Sequence, residues 1–287
     1  MKNFFLVLYL LVIFFCSSSC TVLQWRNSDE EIQQKFKDLS ISSEISYFKV
    51  DSLDINVRFQ SIKSNDENDI NLVFLHGSPS SLSAWDGYLQ DTILRETTNM
   101  YAIDRPGYGY SNFGDEMTSI DTQAQIVSAI VNKNELKNVI VIGSSYGGPL
   151  AARVAFFNSR IKAVVMVSPA IDPTIEKDIW ASRFTQWKLT RWLVPTAYRV
   201  AGDEKKVHAQ ELALIEQGWK SLKIPILHIH GDDDDLVPYE NIDFSKEHFE
   251  NIKIVSVSEK GHEIAWKHKE LIIPHLIKLI DQIEVKD

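Results

Sequence analysis

From Leu53 to Gln60 the chain reads Leu-Asp-Ile-Asn-Val-Arg-Phe-Gln, alternating apolar and polar residues. A period of two predicts a strand with one face on a core and the other in water, as in an antiparallel pair. Tyr47 to Val50 precede it, with Asp51-Ser52 as the hairpin turn. The later strands carry a different signature. Leu72 to Leu75, Val139 to Ile142, Ala163 to Val167 and Ile224 to His230 are mostly continuous apolar runs, the pattern of parallel strands covered on both faces. Lys253 to Val257 reads as one more strand, and the stretches at about 81–94, 117–133 and 147–158 read as helices. Such alternation implies an α/β fold with a mostly parallel, doubly wound sheet and an antiparallel N-terminal hairpin.

Residues 170–222 break the alternation with a helical, aromatic composition that includes Trp180, Phe184, Trp187, Trp192, Tyr198 and Trp219. An insertion here would sit over the carboxyl ends of the strands, where open α/β sheets bind ligands. Trp180, Phe184 and Trp187 are therefore candidates for lining a substrate pocket; the plainer role is to glue the insertion to the body. Four stretches result: residues 1–19, residues 20–44 as a tether and short helix, a core of 45–169 with 223–287, and a helical cap of 170–222.

The first nineteen residues stand apart. Lys2 precedes twelve apolar residues, Phe4 to Phe15, and then Cys16-Ser-Ser-Ser-Cys20. Twelve residues are too few to span a bilayer as a helix, which takes about 20, whereas a short apolar core before small residues fits an export signal. Its end resembles a bacterial lipoprotein signal, which implies cleavage before Cys20, lipid on that cysteine and a place in the cell envelope; a plain signal for secretion is the alternative. Ser17 departs from that pattern, which usually carries an aliphatic residue there. Both cysteines of the chain lie in this segment, so the remaining domain has no pair for a disulfide. The formal charge of −9 argues against a nucleic-acid partner, and 287 residues suffice for a sizeable core.

The chemistry concentrates after the run Val139 to Ile142. Gly143-Ser144-Ser145-Tyr146-Gly147 fits G-x-S-x-G, in which a serine occupies a sharp turn from strand to helix and its neighbours two away must lack side chains. His76-Gly77-Ser78-Pro79, Asp104-Arg-Pro-Gly107-Tyr-Gly109-Tyr-Ser111, Gly231-Asp-Asp-Asp234-Asp-Leu-Val237-Pro238 and Gly261-His262 accompany it. In their order along the chain the motifs resemble those of the α/β-hydrolases, over roughly residues 45–283. The resemblance implies a serine hydrolase fold with a cap. A serine hydroxyl needs a base to take its proton, a histidine suits that task, and a carboxylate fixes the imidazole tautomer. Ser145, Asp234 and His262 obey the chain order serine, acid, histidine. The family's G-x-x-D-x-x-V-P spacing selects Asp234 among the four adjacent aspartates, with Asp172 as a rarer position. Oxyanion donors are expected from the backbone N–H of Tyr146 and, by the family pattern, of Ser78, with His76 bracing that loop. Asp104 to Ser111 lacks the third glycine of a dinucleotide site and reads as a turn on the pocket floor.

Rival readings are fewer. His228-Ile-His230-Gly-Asp232 has the look of metal ligands, but its strand is expected to be covered on both faces, so no metal is assigned. An aspartate nucleophile for epoxide or haloalkane hydrolysis is opposed by Ser145. The expectation is hydrolysis of a small or medium carboxylic ester, with no cofactor and with the oligomeric state open. Amide, peptide or carbon–carbon bond hydrolysis, a cofactor-free peroxidase activity, and a non-catalytic binding protein are the alternatives. For the lipid anchor, Cys20→Ser is expected to abolish lipid attachment and release a soluble or unprocessed form from the membrane fraction. Metabolic labelling with a fatty acid and fractionation check this.

Overall fold

A computed structural model describes residues 24–64, 69–177 and 180–284; residues 1–19, where the sequence predicts an export signal, and Cys20 lie outside the described residues. Eight strands form one sheet: β1 Glu44–Val50, β2 Ile55–Ile62, β3 Asn71–Leu75, β4 Asn99–Ile103, β5 Val139–Ser144, β6 Ile161–Val167, β7 Ile226–Gly231 and β8 Ile252–Val257. Their order is β1-β2-β4-β3-β5-β6-β7-β8. Only β2 runs against both its neighbours; the pairs from β4 to β8 are parallel. The order reverses around β3, with β4 on one side and β5 on the other, which opens a crevice beyond the strand ends. This is the α/β-hydrolase fold that the order of motifs implies.

The continuous apolar runs bury both faces, as parallel strands must. Along β3, Val73 and Leu75 belong to one core layer and Leu72 and Phe74 to the other; along β5, Val139 and Val141 alternate with Ile140 and Ile142 in the same way. Ten helices are formed among the described residues: α1 Asp29–Asp38, α2 Asp86–Leu89, α3 Thr92–Thr97, α4 Ile120–Lys133, α5 Gly147–Phe157, α6 Arg183–Gln186, α7 Thr196–Ile215, α8 Asn241–His248, α9 Ile264–Lys267 and α10 Lys269–Glu284. Helices α4 and α5 pack on the first layer, and α1, α2 and α10 on the second.

Local sequence sets the boundaries. Ser28 starts α1 with a capping box: its hydroxyl accepts from Glu31 N at 3.2 Å, while the Glu31 carboxylate accepts from Ser28 N at 2.6 Å. The helical stretch expected at 81–94 is broken. A 3₁₀ turn over Leu82–Trp85 leads into α2, and Asp91 then caps α3 by accepting from Ile93 N and Leu94 N. The first hairpin turns through a 3₁₀ segment at Asp51–Leu53 and a left-handed Asp54, so the strand starts two residues later than its alternation predicts.

The water-facing side expected for β2 is a correction. Arg58 and Gln60 are fully buried, because α1 and the segment before it lie over that face. Arg58 Nε donates to Asp104 Oδ2 at 2.7 Å, and its Nη1 donates to Asn27 O and Asp29 Oδ1, both at 2.9 Å. Burial disfavours the guanidinium charge, but Asp104 and Asp29 outweigh it and raise the Arg58 pKa, so the group stays a cation. The same Asp104 carboxylate accepts from Leu82 N at 2.8 Å and Tyr110 N at 3.0 Å. One ion pair thus ties β2, the turn after β4, the 3₁₀ segment and the N-terminal helix together. Arg58→Met leaves the Asp104 carboxylate buried without its partner and is expected to cost about 3–5 kcal/mol of stability. A fall in the urea midpoint at unchanged m-value checks this.

Candidate active site

Ser145 follows the last residue of β5 with φ of +53°, and α5 begins two residues later. A left-handed serine is strained, and the surroundings enforce it. A Cβ on Gly143 would stand 1.8 Å from Gly147 O, and one on Gly147 would stand 2.4 Å from Leu75 O. Both positions therefore exclude any side chain. Ser145 N donates to Val167 O at 2.9 Å, pinning the turn to β6. Ser145 remains partly exposed, whereas Ser144 is buried.

Asp234 and His262 come together from the loops after β7 and β8. His262 Nδ1 donates to Asp234 Oδ2 at 2.8 Å. Asp234 Oδ1 accepts from Leu236 N at 2.9 Å and Val237 N at 2.8 Å, which fixes the carboxylate plane. Burial would raise its pKa, but hydrogen bonds from His230 and His262, the His262 charge and the Val237 N–H prevail and hold it well below the usual carboxylate range. It is an anion able to fix the His262 tautomer with Nε2 free. Asp234 alone of the four aspartates is buried. Asp232 accepts from Glu259 N at 2.7 Å, and Asp172 accepts from Thr174 N at 2.8 Å. Among the described residues no hydrogen bond links His262 to Ser145. Catalytic contacts of this kind commonly tighten only with substrate in place.

Behind Asp234 stand the two histidines with metal-like spacing. Their nitrogens serve one another: Ser245 Oγ meets His228 Nδ1 at 2.9 Å, His228 Nε2 meets His230 Nδ1 at 2.9 Å, and His230 Nε2 meets Val237 O at 3.2 Å. A carbonyl can only accept, so His230 carries its proton on Nε2, which also lies 3.4 Å from Asp234 Oδ2. Burial, with His230 and Lys246 nearby, pushes the His228 pKa well down and keeps that ring neutral. Among the described residues no group of three or more His, Cys, Asp or Glu is arranged to hold a metal ion.

Ser78 and Tyr146 line the same cavity of about 330 Å³ as Ser145. The peptide groups before Ser78 are held by Arg105, whose Nε donates to His76 O at 2.9 Å and whose Nη2 donates to Gly77 O at 3.1 Å. His76 accepts from Arg105 N through Nε2 at 3.0 Å and donates through Nδ1 to Gly77 O at 2.7 Å, so both its nitrogens brace the loop. Arg105 in turn pairs with Glu204 of α7 at 2.5 Å. Glu204 also accepts from Tyr108 OH at 2.6 Å and from Ser78 Oγ at 2.7 Å. A carboxylate from the insertion thereby reaches the loop that carries Ser78. Burial opposes the Arg105 charge, yet Glu204, Tyr108 and Tyr146 raise its pKa, so it too stays a cation.

Two expectations about the walls are corrected. Trp180, Phe184 and Trp187 do not line the cavity; they are exposed, at 69%, 38% and 56%, and meet one another edge-on. Their segment turns a second side inward, so that Ser182, Thr185 and Val194 form the wall instead, joined by Tyr198. The turn Asp104 to Ser111 does not line the cavity either. Its Tyr108 braces Ser78 from behind, at 2.6 Å.

Sequence reasoning missed Glu204 and a second cluster on α7. His208 Nδ1 donates to Glu176 Oε1 at 2.8 Å, Lys205 pairs with the same carboxylate, and the His208 ring stacks on Tyr146 with centroids 4.7 Å apart. The available signal was the buried stripe of α7, Ala197, Val200, Glu204, His208, Leu212 and Ile215, in which a glutamate and a histidine interrupt an apolar run at helical spacing.

The alpha/beta hydrolase fold family model matches residues 70–193. The AB hydrolase superfamily protein YisY of Bacillus subtilis is 24% identical over 70% of this chain and 88% of its own. A putative esterase/lipase 2 of Mycoplasma pneumoniae is 24% identical over 75% and 90%. Among solved structures, a putative lipase of Acinetobacter baumannii superposes with a TM-score of 0.69 at 18% identity, covering 91% of this chain and 98% of that one.

Glu176 supplies a pH test of the α7 cluster. Burial would raise its pKa, but the hydrogen bond and charge of His208, followed by Lys205, lower it from 4.5 to about 2. The folded value lies below the unfolded one, so this contribution to stability is complete above about 4.5 and disappears as pH falls through about 2. Glu176→Gln is expected to be less stable than wild type near neutrality, with the gap closing across that window. Urea midpoints of both proteins at a series of pH values measure it.

Proposed function

Starting from a chain of the α/β-hydrolase superfamily, we propose a serine hydrolase that cleaves a small to medium carboxylic ester through an acyl-enzyme. The observation that carries this reading is the partly exposed Ser145 on its strained turn, facing a cavity of about 330 Å³, together with the hydrogen bond of 2.8 Å that joins Asp234 and His262 in the loops after β7 and β8. The names of the esterase/lipase relatives agree with it.

In the reaction, Ser145 Oγ attacks the ester carbonyl while His262 Nε2 takes its proton. Asp234 keeps the imidazole in the accepting tautomer and stabilises the imidazolium. The oxyanion is stabilised by the N–H groups of Tyr146 and Ser78, whose loop is preorganised by Arg105 and Glu204. His262 returns the proton to the leaving alkoxide as the C–O bond breaks. Water then repeats the sequence on the acyl-enzyme and frees Ser145. No step requires a cofactor. The lipid-modified Cys20 would hold the enzyme in the cell envelope.

Ser144 and Ser145 are adjacent, so the register is open to test. Ser145→Ala is expected to abolish both turnover of chromogenic esters and labelling by a fluorophosphonate, whereas Ser144→Ala keeps the label. Asp234→Asn should lower kcat by about 10⁴ with KM little changed, as for a histidine held in the wrong tautomer. Labelling that survives Ser145→Ala would refute the assignment.

A further inference from the structure

The stretch from Trp180 to Gly202 carries Arg183, Lys188, Arg191 and Arg199 and no acid, in a chain whose net charge is −9. Its first half is exposed in a way that aqueous surfaces avoid. Trp180 is 69% exposed, Trp187 56%, Leu189 86%, Trp192 72% and Leu193 63%. These side chains are neighbours. Phe184 touches both Trp180 and Trp187 with centroids 5.7 Å apart, and Trp192 Nε1 donates to Leu189 O at 3.0 Å, which holds the far end of the patch together. Arg191 is tied to Asp203 at 2.6 Å, and Lys188 is exposed. Contiguous exposed apolar surface marks an interaction site.

Its composition selects the partner. Tryptophan and leucine interleaved with arginine and lysine suit the boundary between lipid headgroups and acyl chains, where an indole has both an apolar bed and polar neighbours. The missing acids suit an anionic surface. A second copy of the chain would bring like cations face to face, which is unfavourable. We propose that the face from Trp180 to Leu193 docks on an anionic lipid bilayer, and that the ester reaching Ser145 is drawn from that bilayer. The second half rests on the ester-hydrolase reading; the first does not. The link between them is geometric, since Ser182 and Thr185 of the docked segment, with Val194 next after it, form part of the wall of the cavity holding Ser145. One acyl chain binds only marginally, so stable attachment takes several chains or a helper surface, and this face would serve as such a surface.

Two readouts test it on the full chain reconstituted in phosphatidylcholine vesicles, with and without phosphatidylglycerol. In vesicles whose acyl chains carry bromine near the headgroups, wild-type tryptophan fluorescence should be quenched, more so with phosphatidylglycerol. The double variant Trp187→Phe with Trp192→Phe should lose most of that quenching. The second readout compares a water-soluble short-chain ester with a long-chain ester carried in the vesicles. Leu189→Ser with Trp192→Ser should lower the rate on the carried ester about tenfold or more and leave the soluble ester unchanged, which also shows that the variant is folded. Equal quenching in wild type and the Phe variant, or equal loss on both esters, overturns the proposal. So does protection of these rings by self-association in sedimentation. If neither ester is hydrolysed, the ester-hydrolase reading falls, and the quenching still decides the docking.

Discussion

A non-glycine residue at φ of +53° persists only where neighbouring atoms leave it no alternative, and the site is organised around that condition. The peptide groups of Gly143 and Gly147 press against each other, and Gly147 lies against the Leu75 carbonyl at the end of the neighbouring strand. The elbow can therefore form only where β3 and β5 are adjacent and end together, at the reversal of strand order. The same adjacency brings the loop of Ser78 beside Ser145: a Cβ on Gly77 would lie 3.1 Å from that of the serine. Fold and chemistry share one steric requirement.

Around that point, polar groups are buried in two arrays. Arg105 and Glu204 stiffen the loop of Ser78, and the chain from Ser245 through His228 and His230 backs Asp234. Buried polar groups are costly unless every partner is supplied, and in both arrays the protein supplies them. Each array fixes a peptide or a carboxylate whose placement the chemistry proposed for Ser145 depends on, without itself reaching the serine.

Much of this was legible before the structure. Parallel strands announced themselves as apolar runs because both faces are covered, and the elbow, the order of Asp234 and His262, and the aromatic insertion could be read from spacing. What escaped was the half of each pattern that depends on a distant partner. Arg58 and Gln60 look solvent-facing because alternation cannot reveal that α1 folds back over them. Glu204 looks like one more charge on a helix because its partner, Arg105, is 99 residues away. Trp180 and Trp187 look like pocket walls because periodicity tells which residues share a face but not which way that face points.

The ion pair between Arg105 and Glu204 also decides how a molecule can reach the serine. Glu204 sits on α7, and Arg105 on the core. Lifting α7 away would strand two buried charges, and breaking such a pair costs about 3–5 kcal/mol, which keeps the lifted form below about one molecule in a hundred. That wall is thus a fixed jamb rather than a door. Among its described side chains, the segment before it, Trp180 to Leu193, buries only Thr185 and carries its large apolar groups outside. Traffic into the cavity is left to that side, and the kinetics of loading and release become a property of a short surface segment instead of the helix behind it.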